Sequence, residues 1–406
     1  MNDIIKELLL LQKEVVVEEK PSKQEIILAS KYEQTGIEHF SISSLNQFRN
    51  NSMVWALRYL LEMKSIYPNP ALARGKAIEN TINQKFLGSP IDCKLSAMNF
   101  YKMEISKDIL GIFEILPENW QRDKIIYSLY QLPFDKFIDS ISKLLDKLPN
   151  YQIEKKSWLN SEQNEKLMKK IQSEYHFVLS VIENATDLVI SKLPQNSRLQ
   201  NKLSHDFNKL PVPIIGYTDY ENANIGIDLK TGKKLPKQYS DISVEHFCQA
   251  SFYSFVQKKP WELLYVSSLS NTQKKEIIMY DLYKEYKNDV KKIVEQYKLK
   301  SLDGKGTTEK FVLEQIEKFQ NPQYTIPESV ISYTVKESEV DNFMKLNLMT
   351  ANSINTVINS CRKSSLIDDM KIFCLDNPSG MFIDPCEKEQ IEQVWGIKIV
   401  TEEDEI

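Results

Sequence analysis

Glycine, histidine and cysteine are scarce in this chain of 406 residues, which contains 11, four and five of them. The segment 303–310 resembles a phosphate-binding loop only superficially, because it lacks a glycine four residues before its Gly-Lys pair and a Ser or Thr directly after it. No C-x-x-C pair and no cysteine at metal-ligand spacing from a histidine occurs, so we expect free, buried thiols and no zinc site. The cysteines are Cys93, Cys248, Cys361, Cys374 and Cys386.

Long apolar runs are also missing, since no stretch approaches the roughly 18 residues that a membrane helix needs. The first 20 residues have no basic region before their apolar run and carry several glutamates, unlike a secretory signal. We therefore expect no membrane span and a cytoplasmic location.

The chain lacks a strong charge of one sign, with 52 basic and 56 acidic residues and a formal net charge of −4. Residues 402–405 are all acidic and account for that charge, so the rest of the chain is formally neutral. A neutral body argues against a strongly basic nucleic-acid-binding domain. However, Lys233, Lys234 and Lys237 follow Lys230 closely and form a local basic strip. Such a strip predicts salt-sensitive affinity for a phosphate backbone, with a protein partner helping to load it.

The spacing of apolar residues predicts mainly helices up to about residue 210 and a mixed pattern afterwards. Residues 41–64 predict a helix interrupted near Asn50, 76–88 predict a second helix, and 89–210 show helical patterns only. From Pro211 the period changes to two, with turn residues between the first two strands. The predicted elements there are strands at 211–220 and 224–232, a helix at 241–257, a second strand pair at 262–269 and 276–282, a charged helix at 281–299, a strand at 329–336 and a helix at 337–361.

The strand 224–232 places polar and charged residues on one face of the predicted sheet. Asp228 and Lys230 alternate with apolar residues and so lie side by side. A turn symmetric about residues 222 and 223 would set Asp219 opposite Gly226 and diagonal to Asp228, about 7–8 Å away. Two carboxylates and a lysine suit Mg²⁺ or Mn²⁺ and phosphodiester chemistry. The alternative is a solvated sheet face with a surface ion pair worth at most about 1 kcal/mol.

Five short motifs occur in an order that resembles the PD-(D/E)XK nuclease superfamily, in particular its branch of RecB-like and phage exonucleases with a Q-x-x-x-Y motif. They are SISSLNQF at 41–48, ARGKAIE at 73–79, GYTD at 216–219, DLKTG at 228–232 and QASFY at 249–253. The resemblance covers roughly residues 38–88 and 211–282, under a third of the chain.

The resemblance implies a role for each matching residue. Asp219 and Asp228 would bind the metal, and Lys230 would be the catalytic lysine. Gln249 and Tyr253 would position DNA or the lysine; they lie four apart on one helix face, with His246 beside them. The alternative is that they form the polar edge of an amphipathic helix.

Other matching residues have two interpretations each. Glu79 stands where relatives usually have a histidine ligand; a carboxylate suits a hard cation, but helix-surface glutamates are common. Arg74 would contact phosphate or remain a solvated charge. Ser41 and Ser43 would donate to phosphate or cap a helix. Outside the motifs, Lys233 and Lys234 of the basic strip would contact DNA.

Several relatives hold an iron–sulfur cluster, and this chain departs from their pattern. Residues 50–55, NNSMVW, contain no cysteine where the first cluster ligand would fall, and the last three cysteines lack close spacing. We expect no iron–sulfur cluster.

The resemblance implies an α/β fold, with a restriction-endonuclease-like mixed sheet core flanked by helices, a large helical insertion and a helical C-terminal part. The predicted segments are an N-terminal helical segment at 1–37, the first part of the nuclease core at 38–88, the insertion at 89–210, the core with the catalytic strands at 211–335, and a C-terminal helical segment with an acidic tail at 336–406.

The implied activity is Mg²⁺- or Mn²⁺-dependent hydrolysis of DNA in repair, recombination or phage DNA metabolism. An exonuclease acting on duplex ends or single strands is expected, with 5′ to 3′ polarity favoured. One alternative is a non-catalytic protein that binds DNA ends or a partner and retains the nuclease fold. Another is a helical scaffold, which leaves the period-two pattern after residue 211 unexplained.

Overall fold

A computed structural model of the chain describes residues 35–60, 68–112, 119–145, 161–208, 210–287, 289–300, 308–360 and 369. Among these residues the chain forms 12 helices and a six-stranded mixed sheet. The strands are β1 (Phe40–Ser41), β2 (Arg198–His205), β3 (Ile214–Glu221), β4 (Gly226–Thr231), β5 (Trp261–Val266) and β6 (Val330–Thr334). The helices are α1 (Ile42–Asn50), α2 (Ser52–Tyr59), α3 (Pro70–Phe86), α4 (Cys93–Ile112), α5 (Asn119–Tyr130), α6 (Phe134–Leu145), α7 (Ser161–Lys192), α8 (Val244–Gln257), α9 (Asn271–Tyr286), α10 (Val290–Lys300), α11 (Glu309–Gln320) and α12 (Glu337–Ser360).

Strand β3 has three partners, and their arrangement opens the sheet. β2 pairs with β3 antiparallel along its whole length. The opposite edge of β3 must therefore hold both of its other partners, β1 at residues 214–215 and β4 at residues 220–221. β4 continues beside β5, to which it is parallel, and β6 completes the sheet antiparallel to β5. β3 and β4 thus separate next to Asp219.

Apolar side chains on both faces of the sheet are buried under helices. In β5, Leu263 and Tyr265 belong to one core with α1, α2, α8 and α12, whereas Leu264 and Val266 belong to another with α3 to α7. A strand covered on both faces is nearly continuous in apolar residues, as WELLYV is apart from Glu262. A third, smaller core joins α9, α10 and α11. The central strands are therefore fixed from both sides.

Polar caps explain where several helices begin. The Ser41 side chain accepts a hydrogen bond from the Ser44 amide at 3.0 Å and caps α1. The Asn51 side chain accepts one from the Val54 amide at 3.0 Å, which starts α2 and accounts for the predicted interruption near Asn50. The predicted interruption is confirmed. For Ser41, the capping alternative is confirmed too.

Two glycines beside the sheet opening make room for aromatic rings. A Cβ on Gly216 would lie 2.5 Å from the ring of Tyr253 on α8, and a Cβ on Gly226 would lie 2.2 Å from the Trp261 ring. Both distances are far inside van der Waals contact. The glycine of the GYTD motif is thus explained by the close approach of α8 to β3.

The predicted all-helical segment 89–210 is wrong at its C-terminal end. Residues 198–205 form β2, which belongs to the sheet. The strand is polar: four of its eight residues are exposed, and its two leucines give no apolar alternation. Pairing with β3, and not its own pattern, makes it a strand.

The predicted strand at 276–282 is also wrong, because these residues lie in α9. A capping box starts the helix: the Ser270 side chain accepts the Gln273 amide at 3.2 Å, and the Gln273 side chain accepts the Ser270 amide at 2.9 Å. The apolar residues 277–280 are equally compatible with a strand and with a helix. The capping box therefore decides that this segment is helical. The predicted charged helix at 281–299 is divided, since Lys287 has a φ of 40° between α9 and α10.

The predicted strands at 211–220, 224–232, 262–269 and 329–336 and the helices at 241–257 and 337–361 correspond to β3, β4, β5, β6, α8 and α12. The predicted N-terminal helix and the acidic tail lie outside the described residues. No described helix is both long enough and apolar enough to cross a membrane.

Candidate functional site

The hairpin of β3 and β4 brings two aspartates together at the sheet opening. Tyr220 pairs with Ile227 and Glu221 with Gly226, so continuing the register sets Asp219 across from Asp228. The predicted register, with Asp219 opposite Gly226, is wrong by two residues. The Asn222 side chain accepts the amides of residues 224 and 225 at 2.9 and 3.1 Å and moves the centre of the turn forward.

The Asp219 carboxylate takes part in the separation of the strands. Its Oδ2 accepts a hydrogen bond from the Leu229 amide of β4 at 2.7 Å. Beyond the Tyr220–Ile227 pair of the β3–β4 ladder, this side chain therefore provides the acceptor for a β4 backbone amide. Asp219 is thereby held between the two strands.

Lys230 links Asp228 to helix α8. Its Nζ lies 2.6 Å from Oδ2 of Asp228 and donates to Oε1 of Gln249 at 2.8 Å. The Gln249 amide donates to the Tyr253 hydroxyl at 2.7 Å, and that hydroxyl donates to the Tyr217 carbonyl at 2.6 Å. The Q-x-x-x-Y pair is therefore not a solvated helix edge: it connects the lysine to β3.

Glu79 of α3 belongs to the same electrostatic cluster. Its carboxylate accepts hydrogen bonds from Gln200 of β2 and from Asn83. Both hydrogen bonds lower the pKa of Glu79. Burial and repulsion from Asp228 nevertheless raise the pKa of Glu79 above its ordinary value. Glu79, the predicted additional ligand, is thus close enough to Asp228 for the two carboxylates to repel each other.

The cluster holds more negative than positive charge in a poorly solvated place. Burial raises the pKa of Asp228 against the lowering effect of Lys230. Burial, followed by repulsion from Asp228 and Glu79, raises the pKa of Asp219 well above its ordinary range. Three carboxylates facing one ammonium leave an excess of two negative charges when all are ionised. A cation would relieve both the repulsion and the desolvation.

The donor set fits a hard divalent cation held by few protein ligands. Asp228 is fully buried, and its Oδ1 has no hydrogen-bond partner among the described residues. Its Oδ2 forms an ion pair with Nζ of Lys230 at 2.6 Å. No group of three or more His, Cys, Asp or Glu side chains in the described parts is arranged as a ready-made metal site. Asp219 and Asp228 could hold Mg²⁺ with water completing its shell, as is common for this ion.

Neither predicted interpretation of Arg74 describes its surroundings. The guanidinium pairs with Glu174 of α7 at 2.7 Å, donates to the Thr231 carbonyl at 3.1 Å and lies over the Phe177 ring. Its side chain is only 11% exposed, so the solvated charge is wrong. The phosphate contact stays a prediction that would require this ion pair to open.

The basic strip after β4 is only partly available. Lys233 is half exposed and pairs with Glu174 at 2.8 Å, whereas Lys234 and Lys237 are exposed. Ser43 is exposed, and its hydroxyl lies 2.9 Å from that of Ser41. The contact of these residues with DNA stays a prediction.

Three neighbours of the cluster, Tyr265, His246 and Gln200, lie outside the matching motif positions. Tyr265 of β5 pairs with Lys230 in the ladder, and its hydroxyl lies 2.8 Å from Nδ1 of His246. Burial and the charge of Lys230 lower the pKa of His246 to about 3, so the imidazole is neutral at neutral pH. Gln200 was not predicted, because nothing in a polar strand marks one glutamine. Only strand pairing places it opposite Asp219.

Cys93 is partly buried on α4 and Cys248 is buried on α8, both as free thiols. The other three cysteines lie outside the described residues.

Comparison with known proteins finds no matching family model, no matching curated protein and no matching solved structure. The functional argument therefore rests on the residues of this chain.

The raised carboxylate pKa values predict how stability depends on pH. A carboxyl group with a raised pKa in the folded state stabilises the fold below its unfolded pKa of about 4, and this contribution is lost as the pH rises. In the presence of a chelator, Asp219→Asn should therefore gain Tm relative to the wild type between pH 4 and pH 7. Asparagine keeps an acceptor for the Leu229 amide. A difference in Tm that stays constant or shrinks with rising pH would contradict the assignment.

Proposed function

We propose that this protein is a divalent-metal-dependent nuclease that hydrolyses DNA phosphodiesters on a restriction-endonuclease-like core. One observation carries the proposal. At the opening between β3 and β4, Asp219 and Asp228 face each other, and Lys230 contacts Asp228. A mixed sheet covered by helices on both faces is compatible with such a core.

The residues divide the chemistry among them. Bound Mg²⁺ or Mn²⁺ would polarise the phosphodiester and make hydroxide available at neutral pH. Asp219 and Asp228 would hold the ion through carboxylate oxygens, with Glu79 as an additional ligand. Lys230 would offset negative charge that develops on the phosphate. Gln249 keeps the ammonium in place, since its Oε1 accepts from Nζ at 2.8 Å.

The environment of Lys230 supports a catalytic role over a surface ion pair. Asp228 is fully buried, and the Lys230 side chain is only 16% exposed. A surface pair would lie in water and contribute little. A buried carboxylate with an unpaired oxygen is costly, and such costs concentrate at functional sites.

We propose DNA ends or single strands as substrates, 5′ to 3′ digestion, and work in repair, recombination or phage DNA metabolism. The nearly neutral charge and the partly paired basic strip favour moderate, salt-sensitive affinity and a loading partner.

The test is incubation with Mg²⁺ and end-labelled substrates: linear and circular DNA, single-stranded and duplex, with linear RNA for comparison. An exonuclease should release label from linear DNA and leave circular DNA intact. Calorimetric titration with Mn²⁺ should show binding. Binding of DNA ends without Mn²⁺ binding or cleavage would favour the non-catalytic alternative, and cleavage of circles would contradict the requirement for ends.

A further inference from the structure

One residue inside β2 has a left-handed backbone. Gln200 has a φ of 51°, although its neighbours pair regularly with β3: Leu199 with Tyr220 and Asn201 with Thr218. The same register places Gln200 across from Asp219. A residue with a Cβ rarely adopts this conformation, and strained residues persist where the surroundings or function require them.

The side chain of Gln200 reaches out of the sheet toward α3. Its amide Nε2 donates to Oε1 of Glu79. The charge of Asp228 raises the pKa of Glu79, whereas the hydrogen bond from Gln200 lowers it and gives the carboxylate a fixed donor. The residue with the left-handed backbone is therefore the same residue that donates a hydrogen bond to Glu79.

We propose that Gln200 is a positioning residue: its left-handed backbone aims the amide at Glu79 and holds that carboxylate beside Asp219 and Asp228 as an additional ligand for a divalent cation. This inference rests on the proposed metal-dependent function. It explains why a glutamine, and not a glycine, occupies a position that glycine would adopt without strain.

The test is calorimetric titration of Mn²⁺ into four forms of the full chain: wild type, Gln200→Gly, Glu79→Gln and the double variant. Gln200→Gly keeps the left-handed backbone conformation accessible and removes the whole side chain, including the amide that donates to Glu79. We expect an unchanged or higher Tm and an Mn²⁺ affinity about 10- to 100-fold weaker, as is typical when a ligand loses its orienting partner. In the Glu79→Gln background, Gln200→Gly should have no further effect.

Asn196→Gly is the matched control, because Asn196 also has a positive φ, of 55°, and lies just before β2. It should leave Mn²⁺ affinity unchanged. Wild-type affinity in Gln200→Gly, or an equal effect of that substitution with and without Glu79, would overturn the inference while the proposed function stands. Absence of Mn²⁺ binding by the wild type would overturn both.

Discussion

Asp228→Asn is expected to abolish Mg²⁺-dependent DNA hydrolysis without weakening the fold. A bound divalent ion contributes several kcal/mol to transition-state stabilisation, so losing a ligand carboxylate should reduce the rate by about 1000-fold or more. The folded protein bears the desolvation of this buried carboxylate, whose pKa is raised. The neutral amide removes that cost, so Tm in a chelator should equal or exceed the wild-type value. Initial rates on labelled DNA and thermal unfolding of the same preparation measure both.

The two readouts of Asp228→Asn together separate function from structure. A residue that serves only the fold would lower Tm and activity together. Wild-type hydrolysis in this variant would contradict the assignment of Asp228, and a large fall in Tm would contradict the electrostatic description of the cluster. Mg²⁺ should raise the Tm of the wild type but not that of the variant, because only the former would bind the ion.

Glu174→Ala is expected to cause the largest loss of stability, about 3–5 kcal/mol in the free energy of unfolding. Glu174 is 3% exposed and pairs with both Arg74 and Lys233, at 2.7 and 2.8 Å. Burial opposes ionisation, but hydrogen bonds from the two cations hold the pKa of Glu174 below its ordinary value. Removing the carboxylate leaves the mostly buried Arg74 without its partner. Urea unfolding at neutral pH measures the loss.

Glu183→Ala on the same helix is the matched control. Glu183 pairs with Lys94 at 2.6 Å, but both side chains are about half exposed. Exposed pairs contribute about 1 kcal/mol or less, so this substitution should have little effect. Equal losses from the two substitutions would show that the Glu174 pairs do not anchor α7 to α3 and to the segment after β4.

The parts of the site that lie close in sequence are the ones the sequence predicts well. Alternation along β4 places Asp228 and Lys230 on one face, and their 2.6 Å contact confirms this. Four-residue spacing places Gln249 beside Tyr253, and their hydrogen bond confirms it. Both follow from the period of a single strand or helix.

The register between β3 and β4 could not be predicted, because it depends on a turn. The Asn222 side chain organises residues 222–225 and moves every pair by two positions. This correction brings Asp219 across from Asp228, closer than the predicted diagonal. Because the predicted centre of the turn was wrong, the sequence did not predict that Asp219 lies directly across from Asp228.

Contacts between distant segments carry no local signal. β2 is polar and becomes a strand only beside β3, and its Gln200 meets Glu79 across 121 positions of sequence. Arg74 similarly finds Glu174 100 positions away. A motif can identify one member of such a pair, but the partner follows only from the tertiary structure.

The most direct test of the nuclease proposal compares Lys230→Met with Lys169→Met in Mg²⁺-dependent hydrolysis of end-labelled linear DNA. Lys169 is 71% exposed on α7, and among the residues that the structure describes it pairs with Glu165, one turn earlier on that helix. Methionine keeps the aliphatic stem of each lysine and removes the ammonium. We expect Lys230→Met to lower the rate by about 100-fold or more, and Lys169→Met to match the wild type. Equal hydrolysis by the wild type and Lys230→Met would contradict the account.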